Sequence, residues 1–224
     1  FDLYAIADPG NARFVGLANY AELLADPLFW RALGNTLFVV VVGGPLTLVL
    51  ALAGALLVNA RVTRLRGLWR TVFFAPVVTT LVAVAVVWRY LYHPRFGLLN
   101  QLLAGLGLPP VDWLGDPRFA MLAVALLAVW RTFGYGLVIF VAGLQAIPAT
   151  LYEAAELDGA SAWQRFRRIT LPLLRPTMIF VAVITTVGFF QIFAEPYVMT
   201  RGGPANATLT IALLMYQRGF RWWS

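Results

Sequence analysis

Residues Glu153–Pro172 read EAAELDGASAWQRFRRITLP, a polar, arginine-bearing insert between two hydrophobic runs. Its spacing predicts two short helices hinged at a glycine. Thr150, three residues before Glu153, makes a capping-box pair with it, so the first helix should start near Leu151. Gly159 ends that helix, because a residue without Cβ adopts the left-handed conformation at little cost. Ser161 and Gln164 repeat the capping pair and open a second helix, which Pro172 stops. Steps of three and four residues bring Leu151, Ala154, Ala155 and Asp158 to one face of the first helix. Two alanines there leave a shallow surface that another protein can approach closely. A helix–glycine–helix projecting from apolar surroundings has the form of a docking element.

Those surroundings read as membrane. Hydrophobic residues make up 61% of the 224 and charged ones 12%, against roughly 25% charged in soluble domains. Several apolar stretches exceed the ~20 residues needed to cross a ~30 Å hydrocarbon core. The expected spans are Thr36–Val58, Thr71–Tyr92, Phe119–Leu144 and Thr177–Phe193. Gly43-Gly44-Pro45 should bend the first, unless its glycines serve to let a neighbouring helix pack close, and Pro76 should kink the second. Residues 1–34 are mixed and polar, with a turn at Asp8-Pro9-Gly10 and a helical pattern over Tyr20–Leu33. A Pro/Gly-punctuated connection over 93–118 carries a short helix near Leu98–Leu106. The segment Ala207–Phe220 starts apolar and stops before it can cross. The fold class is all-α, a polytopic transmembrane bundle of about four complete spans.

Arginine placement orients it. Loop 59–70 has four arginines and no acid, and the insert has Arg165, Arg167, Arg168 and Arg175. Segment 1–34 has Arg13 and Arg31 against four acids, and loop 93–118 has Arg95 and Arg118 against two. The positive-inside rule puts the two arginine-rich loops in the cytoplasm. The net charge of +7 is thereby a membrane pattern and not a nucleic-acid footprint.

Enzymatic chemistry finds little support. The sequence has no cysteine, which excludes disulfides, zinc–thiolate sites and thiol catalysis. All 17 basic residues are arginine, so the lysine of a Walker-type phosphate loop is absent. The single histidine, His93 beside Pro94, reads as a solvated loop residue. The carboxylates are scattered, with no legible acid/base pair or metal cluster.

Glu153-Ala154-Ala155, three residues, Gly159, nine residues and Ile169-x-Leu171-Pro172 together resemble the EAA loop of ATP-binding-cassette (ABC) importer permeases. The flanking Gly143-Leu144-Gln145-Ala146-Ile147-Pro148, Leu173-Leu174-Arg175-Pro176 and Gly202-Gly203-Pro204 resemble the carbohydrate-uptake branch, of maltose and glycerol-phosphate type. So does Phe14-Val15-Gly16-Leu17-Ala18-Asn19-Tyr20. The resemblance runs over nearly the whole chain. It implies a type I importer bundle with 1–34 as an extracytoplasmic segment, 35–224 as the transmembrane domain and 145–176 as the cytoplasmic coupling loop. It implies that one helix precedes the sequence and one follows it. The ATPase-coupling residues would be Glu153, Ala154, Ala155, Asp158, Gly159, Ile169, Leu171 and Pro172. The implied partners are a nucleotide-binding ATPase dimer carrying ATP and magnesium, a second, non-identical permease subunit, an extracytoplasmic solute-binding protein and a sugar or polyol. No cofactor would be held by this chain. The setting would be a bacterial or archaeal plasma membrane. An ion-coupled transporter subunit and a non-transporting membrane scaffold are the rival classes.

Three residues are candidates for the solute path. Arg131 lies near the middle of the third span, where a charge costs ~2.5–3.5 kcal/mol on insertion scales. It should face the bundle interior or water, either as a solute contact or as a structural partner to backbone carbonyls or to an acid on another subunit. Tyr135, with Trp130 and Phe133, offers either a sugar-stacking face or ordinary packing. Gln191 is the amide of the fourth span and needs a partner, a helix or a hydroxylated solute. Family members often carry an acid at a position like Ala194; here the acid is next to it, at Glu195.

Overall fold

The computed structural model describes residues 15–60 and 66–221, and every regular element among them is helical. Residues 1–14, with the Asp8-Pro9-Gly10 turn and Arg13, and loop residues Arg61 and Arg64 lie outside the described residues. The helices are α1 (Ala18–Ala25), α2 (Pro27–Phe38), α3 (Gly44–Asn59), α4 (Arg66–Val78), α5 (Leu81–Leu91) and α6 (Leu98–Gly105). They continue with α7 (Pro117–Gln145), α8 (Ala149–Leu157), α9 (Ala162–Arg165), α10 (Leu171–Phe190), α11 (Ala194–Met199) and α12 (Ile211–Tyr216).

Three stretches are long and apolar enough to cross a bilayer: Pro27–Asn59, Pro117–Gln145 and Ala162–Phe190. The first begins earlier than Thr36. Asp26 accepts a hydrogen bond from the Leu28 amide at 2.8 Å and Pro27 takes the first helical position, so the cap starts a new helix inside the pattern expected to run over Tyr20–Leu33. The boundary drawn at residue 34 falls within this helix. Gly43-Gly44-Pro45 does not break it. Pro45 has no N–H for the carbonyl of Val41, and a π turn at Val39–Gly43 absorbs the lost bond while the helix runs on.

The stretch expected as a second span is two helices, α4 and α5, meeting at 99°. The bend falls at Thr79–Thr80, not at Pro76. Pro76 deprives the Val72 carbonyl of its donor without ending α4. The Thr79 hydroxyl then turns back onto the Ala75 carbonyl at 2.7 Å, and Thr80 is extended with ψ 131°.

The third span, α7, is central. It is 29 residues long, about 43 Å at 1.5 Å per residue. Asp116 caps it, accepting from the Arg118 amide at 2.9 Å and from its guanidinium at 2.7 Å. Those bonds hold the Asp116 carboxyl below the usual carboxylate range. One side of α7 packs Leu137, Phe140 and Leu144 against Ala51 and Ala55 of α3 and Leu174 and Val181 of α10. Another packs Ala123, Val124 and Leu127 against Val84 and Ala85 of α5 and Met199 of α11. At Gly134 the α4 backbone comes so close that an added Cβ would lie 2.1 Å from the Phe73 carbonyl oxygen. Facing outward are large apolar side chains such as Val49, Val82, Phe180 and Val183, a surface suited to lipid.

The connection over 93–118 is built on Asn100. Its amide donates to the carbonyls of Pro94 and Val111, and its oxygen accepts from Val111 N–H and Trp113 Nε1, at 2.8–3.1 Å. This fixes α6 where the sequence placed a short helix. His93, expected to be solvated, is half-buried because its ring stacks on Phe96. At the far end, α12 is docked on α2. Asn35 donates to the carbonyls of Asn206 and Leu209, and the Thr36 hydroxyl accepts from Ile211 N–H.

Candidate coupling loop and solute path

The polar insert folds as a helix–glycine–helix, but its details differ from the pattern read in the sequence. α8 starts at Ala149 behind Pro148, which enters the helix with φ −58° and ψ 129° and no side-chain cap. Proline sets that entry angle, which puts Thr150 and Glu153 inside the helix. They form no capping box. The other end is as expected. Gly159 has φ +75°, its amide donates to Glu156 and the Ala160 amide donates to Ala155, which is a Schellman motif. Ser161 and Gln164 do form the second capping box. Pro172, however, does not stop the helix. A π turn at Phe166–Thr170 resets the hydrogen-bond ladder, so Pro172 falls in the first turn of α10, where its missing N–H costs little. Ala162–Phe190 is therefore one continuous rod.

Two contacts missed from the sequence brace the pair of helices. Glu156 of α8 forms an ion pair with Arg165 of α9, and the Tyr152 hydroxyl lies 2.8 Å from the buried Thr170 hydroxyl. Opposite charges either side of a glycine hinge were the available signal. Glu153, Ala154, Asp158, Gly159 and Pro172 are exposed, whereas Ala155, Ile169 and Leu171 are half-buried. Leu157, 90% exposed, and Trp163, 66% exposed, add an apolar tip that the sequence reading passed over.

At the other end of α10 the helix unwinds at Gln191 and restarts as α11 at Ala194. That break turns Glu195 toward α7, where its Oε1 accepts from Arg131 Nη1 at 2.7 Å. The acid that pairs with Arg131 thus belongs to this chain and not to another subunit. The Glu195 side chain is 10% exposed and that of Arg131 33%. The Arg131 Nε is buried and has no hydrogen-bond partner among the described residues. Arg131, Glu195, Gln191, Thr132 and Thr185 line a cavity of about 360 Å³, walled by Phe189, Ile192 and Phe193.

The structure thus brings Arg131 and Gln191 together and adds Glu195. Tyr135, one helical turn along α7, is exposed and lies outside this lining. Of the other aromatics, Trp130 packs on Trp88 at 5.5 Å and Phe133 on Phe73 at 5.9 Å between ring centres, which is bundle packing. Sequence reasoning missed Glu195 as the partner because nothing local signals that the fourth span ends at Phe190 and turns.

Comparison with known proteins agrees with this architecture. Residues 43–224 match the family described as binding-protein-dependent transport system inner membrane component. The chain is 38% identical over 213 residues to the lactose transport system permease protein LacF of Rhizobium radiobacter, covering 93% of this chain and 71% of the relative. It is 40% identical over 203 residues to the trehalose/maltose transport system permease protein MalF of Thermococcus litoralis, covering 91% and 68%. The arabinooligosaccharides transport system permease protein AraP of Bacillus subtilis is 35% identical over 219 residues, covering 94% and 68%. Among solved structures, a chain of a bacterial alginate ABC transporter, in complex with an alginate pentasaccharide-bound periplasmic protein, superposes with a TM-score of 0.79 at 26% identity. That match covers 92% of this chain and 73% of the other. A second alginate importer structure gives 0.80 at 24% identity, covering 99% and 79%. With most of its length matched to the family and its apolar helices packed in the same fold, the chain belongs to the binding-protein-dependent transport system inner membrane components and is a multi-pass membrane protein.

Proposed function

We propose that this chain is a permease subunit of an ATP-driven importer and forms half of the translocation pathway for a sugar or related polyol. The observation that carries this proposal is the continuity of Ala162–Phe190. One rod begins at the exposed helix–glycine–helix and ends at Gln191, on the lining of the polar cavity. A force applied to the insert is carried to that lining along one unbroken helical stretch. A nucleotide-binding ATPase dimer, holding ATP and magnesium, seats the insert through Glu153, Ala154, Ala155, Asp158 and Gly159. Ile169, Leu171 and Pro172 connect the insert to the rod. On ATP binding the dimer closes and the helices pass from inward-open to outward-open. An extracytoplasmic solute-binding protein delivers solute to the opened face. A second, non-identical permease supplies the other half of the path.

A sugar-like solute is favoured by the lactose, trehalose/maltose and arabinooligosaccharide systems of the relatives. It is favoured too by a cavity that offers an amide, hydroxyls and an ion pair beside aromatic rings. The deciding experiment reconstitutes this chain with its partner permease, ATPase and binding protein in proteoliposomes and follows uptake of a sugar panel. Uptake should require ATP and all four components. Uptake that survives removal of the ATPase and collapses with the ion gradient would mark an ion-coupled transporter instead. Uptake unchanged on deletion of this chain would mark a scaffold.

Two further results are expected. Single cysteines near Trp163 and near Asp112 should be labelled from opposite sides, the first only from the cytoplasm and the second only from outside. External labelling at Trp163 would overturn both the orientation and the docking role. Gln191→Ala should weaken solute affinity by about two- to twelvefold, the worth of one net hydrogen bond of ~0.5–1.5 kcal/mol. Loss of assembled complex with unchanged transport per complex would give Gln191 a structural role only.

A further inference from the structure

We propose that Glu195 sets the charge class of the transported solute. Paired with Arg131, it makes the polar end of the cavity electrically neutral and closes it to anionic sugars. This rests on the assignment of that cavity to the solute path. Arg131 and Glu195 are the two charged side chains among the described lining residues; the other polar groups there are Thr132, Thr185 and Gln191.

The pair is close, Nη1 to Oε1 at 2.7 Å, and unequal in burial, with Glu195 10% exposed and Arg131 33%. A solute carboxylate has two ways to approach Arg131, and both are unfavourable. Displacing Glu195 strands an almost buried acid without its cation, the costly half of breaking a buried pair. Sitting beside the intact pair puts a second carboxylate against Glu195, and the two like charges repel. A sugar hydroxyl meets neither conflict. It donates to the free lone pairs of Glu195 or accepts from the exposed donors of Arg131, and no charge is left uncompensated. Without Glu195 the balance reverses. Arg131 Nε is already buried with no partner, so the loss of Nη1's acceptor leaves a guanidinium short of acceptors and facing the cavity. That is a site for a carboxylate, which Arg binds in a two-pronged geometry.

The test uses the assembled permease–ATPase complex in nanodiscs, without binding protein, so that no binding protein competes for the probes and the variants in this chain isolate its own contribution. Equilibrium binding of maltose, a neutral probe, and digalacturonate, an acidic one, is measured by calorimetry. Glu195→Gln removes the charge while its amide oxygen still accepts from Arg131, so assembly should hold. Glu195→Ala is the second charge-free variant, and Glu195→Asp keeps the charge. Either charge-free variant should gain about tenfold or more in digalacturonate affinity, the worth of one hydrogen bond to a charged group. The gain should fall with added salt, be absent in Glu195→Asp, and vanish when Arg131→Gln is combined with Glu195→Gln. The comparison between wild type and variant needs no knowledge of the native solute. No gain in either charge-free variant, or a gain that persists without Arg131, overturns the proposal. The pathway assignment survives that result if Gln191→Ala still weakens maltose. If maltose binding ignores both Gln191→Ala and Arg131→Gln, the assignment falls and the proposal with it.

Discussion

Gly134→Ala should strip α4 from the bundle and lower the thermal midpoint of the solubilised protein by several degrees. A Cβ at this position would lie 2.1 Å from the Phe73 carbonyl oxygen and 3.0 Å from its carbon. Both are backbone atoms, which cannot rotate aside as a side chain would. The whole of α4 must therefore retreat. Its retreat pulls the Phe73 ring from Phe133 of α7, now 5.9 Å away between ring centres. Overpacking of this kind costs roughly 1–3 kcal/mol. It opposes the ~1 kcal/mol that alanine gains over glycine in a helix, so propensity alone gives the wrong sign. Gly34→Ala on α2 is the control, since outside its own helix backbone none of the described residues comes within 4 Å of its Cβ position. It should leave the midpoint unchanged or raise it. Equal midpoints for the two variants would mean that α4 does not approach α7 as closely as described.

The bundle was legible in the sequence because burial in lipid leaves a coarse signal. Long apolar runs with arginine at their ends located both ends of α7 and the C-terminal ends of the spans that contain α3 and α10 to within three residues, whereas the N-terminal ends of those two spans lie nine and fifteen residues earlier than expected. The errors fall where helix geometry depends on a single hydrogen bond. Pro45, Pro76 and Pro172 all remove a donor, and the sequence reading took each as a bend or a stop. In the structure π turns absorb the loss before Pro45 and Pro172, while the real break in the second span sits at Thr79–Thr80. Proline shows where a donor is missing, but tertiary packing decides whether the ladder breaks or shifts register. The site was half legible. Arg131 and Gln191 stand out as polar residues in apolar helices, and the structure puts both on one cavity. Glu195 could not be paired with Arg131 across 64 residues of sequence without knowing that the chain turns at Gln191. The coupling insert shows the same division. Its glycine hinge and second capping box followed from local chemistry, but Glu156–Arg165 and Tyr152–Thr170 join residues on separate helices.

Gly159→Asp should leave a permease that is made, inserted and assembled in the membrane, yet moves almost no solute. At φ +75° a side chain strains the backbone, by about 1–2 kcal/mol for an ordinary residue and less for aspartate, which tolerates this region better. Apart from the two adjoining residues, none of the described residues comes within 4 Å of the new Cβ, so nothing internal is crowded. The turn is also held from outside by the Glu156–Arg165 ion pair, and Gly159 itself lies outside the three spanning stretches. Folding and insertion should therefore be spared. The open space at Gly159 matters only when another protein fills it. There a carboxylate projects from the tip between Leu157 and Trp163, where a seated ATPase would make its closest approach. Glu153→Lys separates charge from shape at the same surface. Glu153 is exposed and caps nothing, so reversing its sign should not unravel α8. The dipole penalty is a few tenths of a kcal/mol at most, since that effect fades beyond the first turn. On the proposed docking, what would remain is the loss of attraction for a basic residue of the ATPase. Both variants should lower uptake at least about tenfold, the rate change of ~1.4 kcal/mol. In both, the ATPase should detach on washing of membranes or hydrolyse ATP without stimulation by loaded binding protein. Membrane abundance, measured on the same preparations, should match wild type. If both variants transported at wild-type rates with normal ATPase stimulation, force would have to enter the Ala162–Phe190 rod elsewhere. Arg167 and Arg168, beside Trp163 in a separate surface cavity of about 400 Å³, would then be the next contact to test.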